Sequence, residues 1–481
     1  MKPQLTGNRS GPSLGVFALA MINVAAIASL RDLPQMAKYG CGSIFFYLLT
    51  GLVFFIPVSL VAAELATGWP QKGDVYVWVK KAFGESHGFA AVFIQWFQNL
   101  CWYPVVLTFA AASLAFVFYG STGATRLAEN KIYITTFILS AYWGATFWNF
   151  RGLRASARLS IAGAFSGVVI PGVALVVLAC VSLSVGNPSH LIFSASDFFP
   201  DMAKPNNITF AASVLLAFAG MEMTAVHVRE TRSPSRTYPL AILVAAGIIL
   251  LAFILGALAI AVALDPSDYT LQTGVIEAID TMLRGLGIPY LGHLLAAMMA
   301  FGVIGSVNSW IIGPSKGVLA AAEDGLLPKW FCKTNRHGVP KRLLIIQAVI
   351  VSLLCLTFTL QPTVATAYFM LSDLTIQLYL IMYVAMFAAA FRLRYTQPDV
   401  SRSFRVPMGN LGLWAVAGIG ILGAVGCAFI GFFPPAQLAD QHIRPGVFVG
   451  FLTVGILTVS ALPYSLRGLL KKRDKGKRIK K

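Results

Sequence analysis

Charged side chains are scarce in this sequence. Asp, Glu, Lys and Arg make up only 12% of the 481 residues and hydrophobic residues make up 57%, whereas soluble domains carry about 25% charged residues. The mean hydropathy is +0.73. This composition argues against a soluble domain and indicates a polytopic, all-α membrane protein.

The apolar residues fall into about twelve stretches that could cross a bilayer, which takes roughly 20 residues per helix. The predicted spans are 12–37, 43–67, 87–119, 131–149, 157–185, 208–228, 239–264, 290–320, 343–360, 364–392, 411–433 and 446–466. The first span is longer than the apolar part of a signal peptide, so we expect it to stay in the protein. We predict one transmembrane domain over residues 1–466 and a basic tail over 467–481.

Motifs for catalysis, cofactors and metals are also lacking. The six cysteines show no CxxC spacing, and HExxH, P-loop and dinucleotide motifs are absent from the sequence. Two G-x-S-x-G matches, GPSLG and GPSKG, flank membrane spans, whereas serine hydrolases need this motif on a strand-to-helix turn. We therefore expect no enzyme activity, no metal and no cofactor.

Positive charge is distributed unequally between the two sides of the predicted bundle. With an even number of spans, 30 of the 37 Lys and Arg residues fall on the side that holds both termini. The positive-inside rule then places both termini in the cytoplasm of a bacterial inner membrane. The tail KKRDKGKRIKK fits a segment beside anionic lipid better than a nucleic-acid site.

Acidic side chains within the spans are few: Glu64, Glu222 and Asp373. Carboxylates in a membrane are costly unless they are paired, protonated or hydrated, so each is a candidate for proton transfer or gating. Glu64 lies near the end of its span and could instead reach interfacial water or a backbone amide. Asp373 could instead bond a neighbouring helix on the face that it shares with Gln377.

Glu222 follows Gly220 in the apolar stretch LLAFAGMEMTAVHVRE, residues 215–230. Glycine loosens a helix, and an opened backbone at membrane depth must be buried in protein or line a cavity. Secondary transporters place such breaks at matching positions of two repeats. If residues 12–185 and 208–392 are repeats, the first span should break too, and it offers Asn23, small residues and Pro34.

Five segments in order along the chain carry a family resemblance: FIPVSLVAAELATGWPQKGDVYVWV, FAGMEMTAVHVRETRSPSRTYPLA, NSWIIGPSKGVLAAAEDGLLPKWF, NRHGVPKRLLIIQ and PDVSRSFRVPMG. Through them the chain resembles the amino acid, polyamine and organocation transporter superfamily, and within it the bacterial glutamate/γ-aminobutyrate antiporters. The resemblance implies a leucine-transporter-like fold of twelve helices. Two five-helix inverted repeats would contain discontinuous helices 1 and 6, with helices 11 and 12 over 411–466 outside them.

The resemblance also implies an amino acid antiporter that works by alternating access, and a substrate site. The substrate carboxylate would meet backbone amides of helix 1, and its ammonium would meet carbonyls of helix 6. Tyr379 and Tyr383 would gate the site, and Gln98 is a further polar candidate. The implied substrate-binding residues are Asn23, Val24, Ala25, Ala26, Phe218, Ala219, Gly220, Met221, Gln98, Ser306, Tyr379 and Tyr383.

The sequence departs from the resembled branch in two places that bear on the substrate. Ser306 stands where the glutamate/γ-aminobutyrate exchangers carry a carboxylate, so glutamate specificity is not carried over. The fifth span, with RLSIAGAFSGVVIPG, lacks the lysine that some related transporters place there, which favours exchange over proton-driven uptake.

Two other functions remain open from the sequence. A proton-coupled uptake permease is the nearer alternative, with small amino acids or related amines as its substrates. A channel is the more distant one, because broken helices also line pores. Gly-x-x-x-Gly spacings at GAFSG and GVFVG are compatible with close helix packing or with a homodimer in the lipid.

Overall fold

The computed structural model of the protein describes residues 15–71, 73–192, 195–200, 214, 217–220, 222, 234–434 and 444–479. Every regular element in these ranges is a helix, as expected for segments that must satisfy their own backbone hydrogen bonds in lipid. The helices are α1 (Val16–Ile27), α2 (Leu33–Ala37), α3 (Gly42–Gly68), α4 (Asp74–Phe83), α5 (Glu85–Ala128), α6 (Lys131–Asn149), α7 (Leu153–Ala164, continued by Phe165–Val169 and Ile170–Ser184), α8 (Ala195–Phe198), α9 (Pro234–Ala263), α10 (Gly274–Gly285), α11 (Tyr290–Glu323), α12 (Lys341–Leu360), α13 (Val364–Thr396), α14 (Gly409–Ile430) and α15 (Pro445–Ile479). A short helical turn, Lys329–Cys332, follows α11.

Nine helices in the described part of the chain are long and apolar enough to cross a membrane: α3, α5, α7, α9 and α11 to α15. They coincide with nine of the predicted spans, which confirms an all-helical, multi-pass architecture. The predicted total of twelve stays a prediction. The first span is divided into α1 and α2, and most of 208–228 lies outside the described residues.

Side-chain caps fix where two of the helices begin. The Asn130 Oδ1 atom accepts the backbone N–H groups of Ile132 and Tyr133, each at 3.0 Å, at the start of α6. The Thr363 Oγ1 atom accepts the N–H of Thr366 at 3.1 Å at the start of α13. Asn and Thr in this position satisfy amides that a helix leaves free in its first turn.

The centre of the bundle is formed by α5 and α13, which pack against each other, and α5 also packs along α11. The apolar stretches of α5 and α13 are 83% and 72% buried, against 22% and 17% for α14 and α15. Polar side chains on α5, α11 and α13 therefore face protein, while α14 and α15 lie at the periphery.

Helices α7 and α11 meet at glycines. A Cβ atom placed on Gly163 would lie 2.9 Å from the Gly305 Cα, and one on Gly302 would lie 2.5 Å from the Gly167 Cα. Small residues at such a crossing let two backbones touch within a membrane. The GAFSG spacing is therefore used inside the chain and gives no support to a homodimer.

We expect Gly302→Ala to lower the free energy of unfolding by about 1–3 kcal/mol, the usual cost of overpacking a tight contact. The added methyl would meet the Gly167 Cα and, at 2.9 Å, the Gly163 carbonyl oxygen, and neither backbone atom yields easily. Thermal unfolding in detergent measures the effect. Gly144→Ala is the matched control because nothing lies within 4 Å of a Cβ there. Equal melting temperatures of the two variants would contradict this account of the crossing.

Candidate functional site

The first membrane stretch is interrupted between α1, which ends at Ile27, and α2, which begins at Leu33. Ala28 leaves the helix with an extended backbone (φ −61°, ψ 123°), and Pro34 lies in the first turn of α2, where its missing N–H is tolerated. The break covers residues 28–32.

This position corrects the expectation that backbone amides of Asn23 to Ala26 are open to a substrate. Asn23, Val24, Ala25 and Ala26 all lie inside α1, where the amides beyond the first turn belong to the helix. The Asn23 side chain also bonds within α1, to the Leu19 carbonyl at 2.9 Å. The break lies about one helical turn further along the chain.

The second break lies at Gly220, which has φ 117°, a left-handed conformation that favours glycine. A Cβ atom there would lie 3.2 Å from the Trp310 Cη2 and 3.6 Å from the Ile27 Cγ1. The Gly220 N–H donates to the Tyr383 hydroxyl at 2.9 Å. The first break therefore packs directly against the second through Ile27.

Glu222 is fully buried and joins this second break to α13. The Tyr379 hydroxyl donates to Oε1 at 2.6 Å and the Tyr383 hydroxyl donates to Oε2 at 2.7 Å. Gln95 on α5 adds a longer contact of 3.4 Å to Oε1. The two tyrosine rings stack with centroids 4.8 Å apart. The structure thus brings together the predicted gating residues Glu222, Tyr379 and Tyr383.

A small cavity of about 50 Å³ lies between the two breaks. Both breaks, together with α5, α11 and α13, contribute to its wall. The lining residues are Ile27, Ser29, Arg31, Asp32, Gln98, Asn99, Trp102, Ala217, Ala219, Trp310 and Tyr379. Of the predicted binding residues, Gln98, Ala219 and Tyr379 are in this wall.

The other predicted binding residues lie elsewhere. Phe218 is buried in an aromatic cluster, with ring centroids 4.8 Å from Phe55 and 5.5 Å from Phe253. Ser306 on α11 is partly buried and, like Phe218, is not among the lining residues. Met221 lies outside the described residues.

Sequence reasoning missed Asn99, Trp102 and Trp310 in the cavity wall. The two tryptophan rings lie 5.8 Å apart and form an aromatic side of the cavity. A signal for the α5 residues was present: Gln95, Gln98, Asn99 and Trp102 recur at the spacing that places them on one helix face. A polar stripe of this kind on a very apolar helix marks the face that meets the cavity.

Glu64 does not line the cavity and is held by two arginines. Its Oε2 atom lies 2.5 Å from the Arg394 Nη2, and its Oε1 atom lies 3.6 Å from the Arg402 Nε. The Val406 N–H also donates to Oε2 at 2.8 Å. The expected backbone amide is present, and the two cations were missed. Glu64 clamps the segment after α13 to α3.

Asp373 is also separate from the cavity. Its Oδ2 atom is buried, and no hydrogen-bond partner for it occurs among the described residues. The bond to a neighbouring helix that we expected on this face is made by Gln377, which donates to the Ala428 carbonyl of α14 at 2.8 Å.

Asp74 is a further titratable group, located between the membrane spans at the start of α4. Its backbone has φ 40° and follows Gly73 with φ 119°, so a strained turn holds the carboxyl in place. Burial raises the pKa of Asp74 to about 7, with the charge of Glu222 contributing to the rise and that of Lys316 opposing it.

Asp74→Asn should raise the melting temperature at pH 8 and leave it unchanged near pH 4. An unfolded Asp loses its proton near pH 4, whereas folded Asp74 keeps it until about pH 7. The folded state is therefore destabilised progressively as the pH rises through this window, and asparagine removes that cost. Thermal unfolding at a series of pH values measures the difference. The exposed Asp399→Asn is the control, and a gain of equal size at pH 4 and pH 8 would contradict the assignment.

A cavity where two interrupted segments meet, inside a bundle of membrane-length helices, places the chain in the class of membrane transporters. The family model described as "Amino acid permease" matches residues 14–458. The chain therefore belongs to the amino acid permease family.

Sequence comparisons with individual relatives support this family assignment. The chain is 37% identical over 457 residues to an uncharacterised transporter of Legionella pneumophila, covering 95% of this chain and 97% of that protein. It is 32% identical over 465 residues to the glutamate/gamma-aminobutyrate antiporter of Lactococcus lactis, covering 96% and 91%. It is 22% identical over 393 residues to a probable agmatine/putrescine antiporter of the same species, covering 80% and 81%. The resemblance is confirmed, and the chain is a multi-pass transporter and not an enzyme.

Proposed function

We propose that this chain is an amino acid antiporter that works by alternating access in a bacterial inner membrane. The observation that carries the proposal is the cavity lined by residues of both helix breaks, with Glu222 bonded to its lining residue Tyr379. Interrupted helices offer end dipoles and open backbone groups that suit a small zwitterion. The substrates named for the relatives, glutamate, γ-aminobutyrate, agmatine and putrescine, support small amino acids or related amines.

The proposed architecture has twelve spans with both termini in the cytoplasm. Residues 12–185 and 208–392 form the two inverted repeats, and 411–466 form two peripheral helices beside membrane lipid. Breaks at residues 28–32 and at Gly220 support this arrangement because each falls in the first span of its repeat. The shallow burial of α14 and α15 supports their place outside the repeats.

Glu222 acts in this proposal as a latch between the second break and α13. A carboxylate accepts a hydrogen bond at each oxygen, and both tyrosines donate to it. A protonated carboxyl carries a donor on one oxygen, so the tyrosine at that oxygen would have to stop donating to it and turn its hydroxyl hydrogen elsewhere. Protonation or a substrate group that competes for a tyrosine would therefore loosen the second break.

Contacts on the predicted cytoplasmic side fit a closed gate. Asp324, which follows α11, accepts from the Lys80 Nζ at 2.5 Å and from the Tyr76 hydroxyl. Both donors lie on α4, so this cluster ties α4 to the end of α11. Alternating access requires that such contacts break when the cavity opens towards the cytoplasm.

Exchange is favoured over proton-driven uptake by the packing of α7. The lysine that some related transporters place in this helix is absent, and Gly163 and Gly167 press the α7 backbone onto α11. This crossing leaves no room for a long side chain at these two positions. A proton-coupled permease remains the second candidate, with Glu222 as the titrating group.

Counterflow in proteoliposomes tests the proposal. Each amino acid and amine is loaded inside in turn, and entry of a labelled external panel is followed. We expect entry to require a particular internal substrate. Entry into empty liposomes that rises with an imposed proton gradient would replace exchange by proton-coupled uptake, and a conductance without counter-substrate would indicate a channel.

A further inference from the structure

Two buried hydrogen-bond donors in the cavity wall have no acceptor among the described residues. Arg31 and Gln98 are 4% and 2% exposed, respectively, and both line the cavity. The Arg31 Nη1 and the Gln98 Nε2 have no hydrogen-bond partner in the part of the chain that the structure describes. A buried donor left unsatisfied costs about 1–3 kcal/mol and more when it is charged, so this pair marks a place for a ligand with acceptors.

The other two guanidinium nitrogens of Arg31 each donate to the next residue. Its Nε and Nη2 atoms donate to the Asp32 Oδ1 at 2.9 and 2.6 Å. Both bonds end on one carboxylate oxygen and both residues lie in the break at 28–32. Asp32 holds the guanidinium in place, and Nη1 is the nitrogen left without an acceptor among the residues that the structure describes.

We infer that the cavity selects its substrate by a carboxylate group, which accepts from the Arg31 Nη1 and the Gln98 Nε2, and that Arg31 is a specificity-determining residue. This inference rests on the proposed transport function and names its substrate class. A carboxylate offers two acceptor oxygens, and guanidinium donors suit it in charge and in geometry.

The same chemistry excludes amines that lack a carboxylate. An alkylammonium group has donors and no acceptor, so it would leave both wall donors unsatisfied. Agmatine and putrescine, the substrates named for one relative, should therefore not bind in this cavity, while amino acids and γ-aminobutyrate keep the required group.

Ligand binding to the purified full-length chain in detergent tests this inference, with the thermal shift as the readout. The panel contains the common amino acids, γ-aminobutyrate, and matched pairs that differ only by the carboxylate: alanine and ethylamine, ornithine and putrescine, arginine and agmatine. We expect every stabilising ligand to carry a carboxylate. In the Arg31→Gln variant, the apparent Kd of each of these carboxylate ligands should be at least tenfold higher than in the wild type. Arg284→Gln is the matched control, because Arg284 pairs with Asp280 at 2.8 Å but is 60% exposed and away from the cavity.

Gln98→Glu serves as a second variant in case Arg31→Gln does not fold. It keeps the size of the side chain, replaces a donor by a carboxylate and should also weaken binding at least tenfold. Stabilisation by an amine equal to that by its amino acid would overturn the inference. An unchanged affinity for the carboxylate ligands in a folded Arg31→Gln or Gln98→Glu variant would also overturn it. The same holds if the wild type binds no carboxylate ligand of the panel. Binding without counterflow would overturn the exchange proposal and leave the assignment of Arg31 intact.

Discussion

Glu222→Gln is expected to lower the exchange rate at least tenfold and to remove any pH dependence that this carboxyl confers. The amide group has one acceptor oxygen, so its NH₂ group must face one of the two tyrosine hydroxyls. If it faces Tyr383, that hydroxyl can accept from the amide as well as from Gly220, but its own O–H loses the carboxylate oxygen to which it donates. A buried polar group left unsatisfied costs about 1–3 kcal/mol, and each 1.4 kcal/mol is about tenfold.

Initial rates of counterflow between about pH 5 and pH 8 measure this effect. The exposed Glu129→Gln changes the same chemical group on the surface and should leave the rate unchanged. If Glu222→Gln exchanges at the wild-type rate with the wild-type pH profile, Glu222 is not the latch.

Glu64→Ala is expected to destabilise the protein by about 3–5 kcal/mol, the usual effect of removing one partner from a buried ion pair. The substitution leaves Arg394 and Arg402, which are nearly inaccessible at 6% and 1% exposure, without their carboxylate. It also removes the acceptor of the Val406 amide. Chemical or thermal unfolding in detergent measures the loss.

Glu85→Ala provides the comparison for this prediction. Glu85 pairs with Arg467 at 2.9 Å but is 49% exposed, and exposed pairs contribute about 0–1 kcal/mol. A double-mutant cycle of Glu64→Gln with Arg394→Gln isolates the coupling between the two side chains. Equal losses for Glu64→Ala and Glu85→Ala would show that the clamp does not stabilise the fold.

Much of the helical architecture was predictable because apolar length is a local signal. The predicted span 43–67 corresponds to Gly42–Gly68, and 364–392 lies within Val364–Thr396. The break in the first stretch lies at residues 28–32, between the predicted Asn23 and Pro34, whereas the amides of Asn23 to Ala26 belong to α1. Ile27 ends α1 beside Gly220, and the local sequence does not record such a contact between distant residues.

The candidate site was predictable only where one residue carried its own signal. Gly220 with Glu222 stood out in an apolar stretch, and a tyrosine pair four residues apart suggested a shared face. The partners of Glu64 were hidden because Arg394 lies 330 positions away in the chain. Arg31 lies within the predicted span 12–37 but carried no signal of its own, and only its burial against the cavity shows its place in the site.

The central claim is that an amino acid binds between the two helix breaks, and substrate protection of an introduced thiol tests it most directly. Ser29→Cys places the thiol in the cavity wall, in a background in which the six native cysteines are replaced. We expect the exchanged amino acid to slow alkylation at position 29 in a concentration-dependent way. It should not slow alkylation in Ser184→Cys, at the exposed end of α7. Unchanged alkylation at position 29 under saturating substrate, in a variant that still exchanges, would contradict the account.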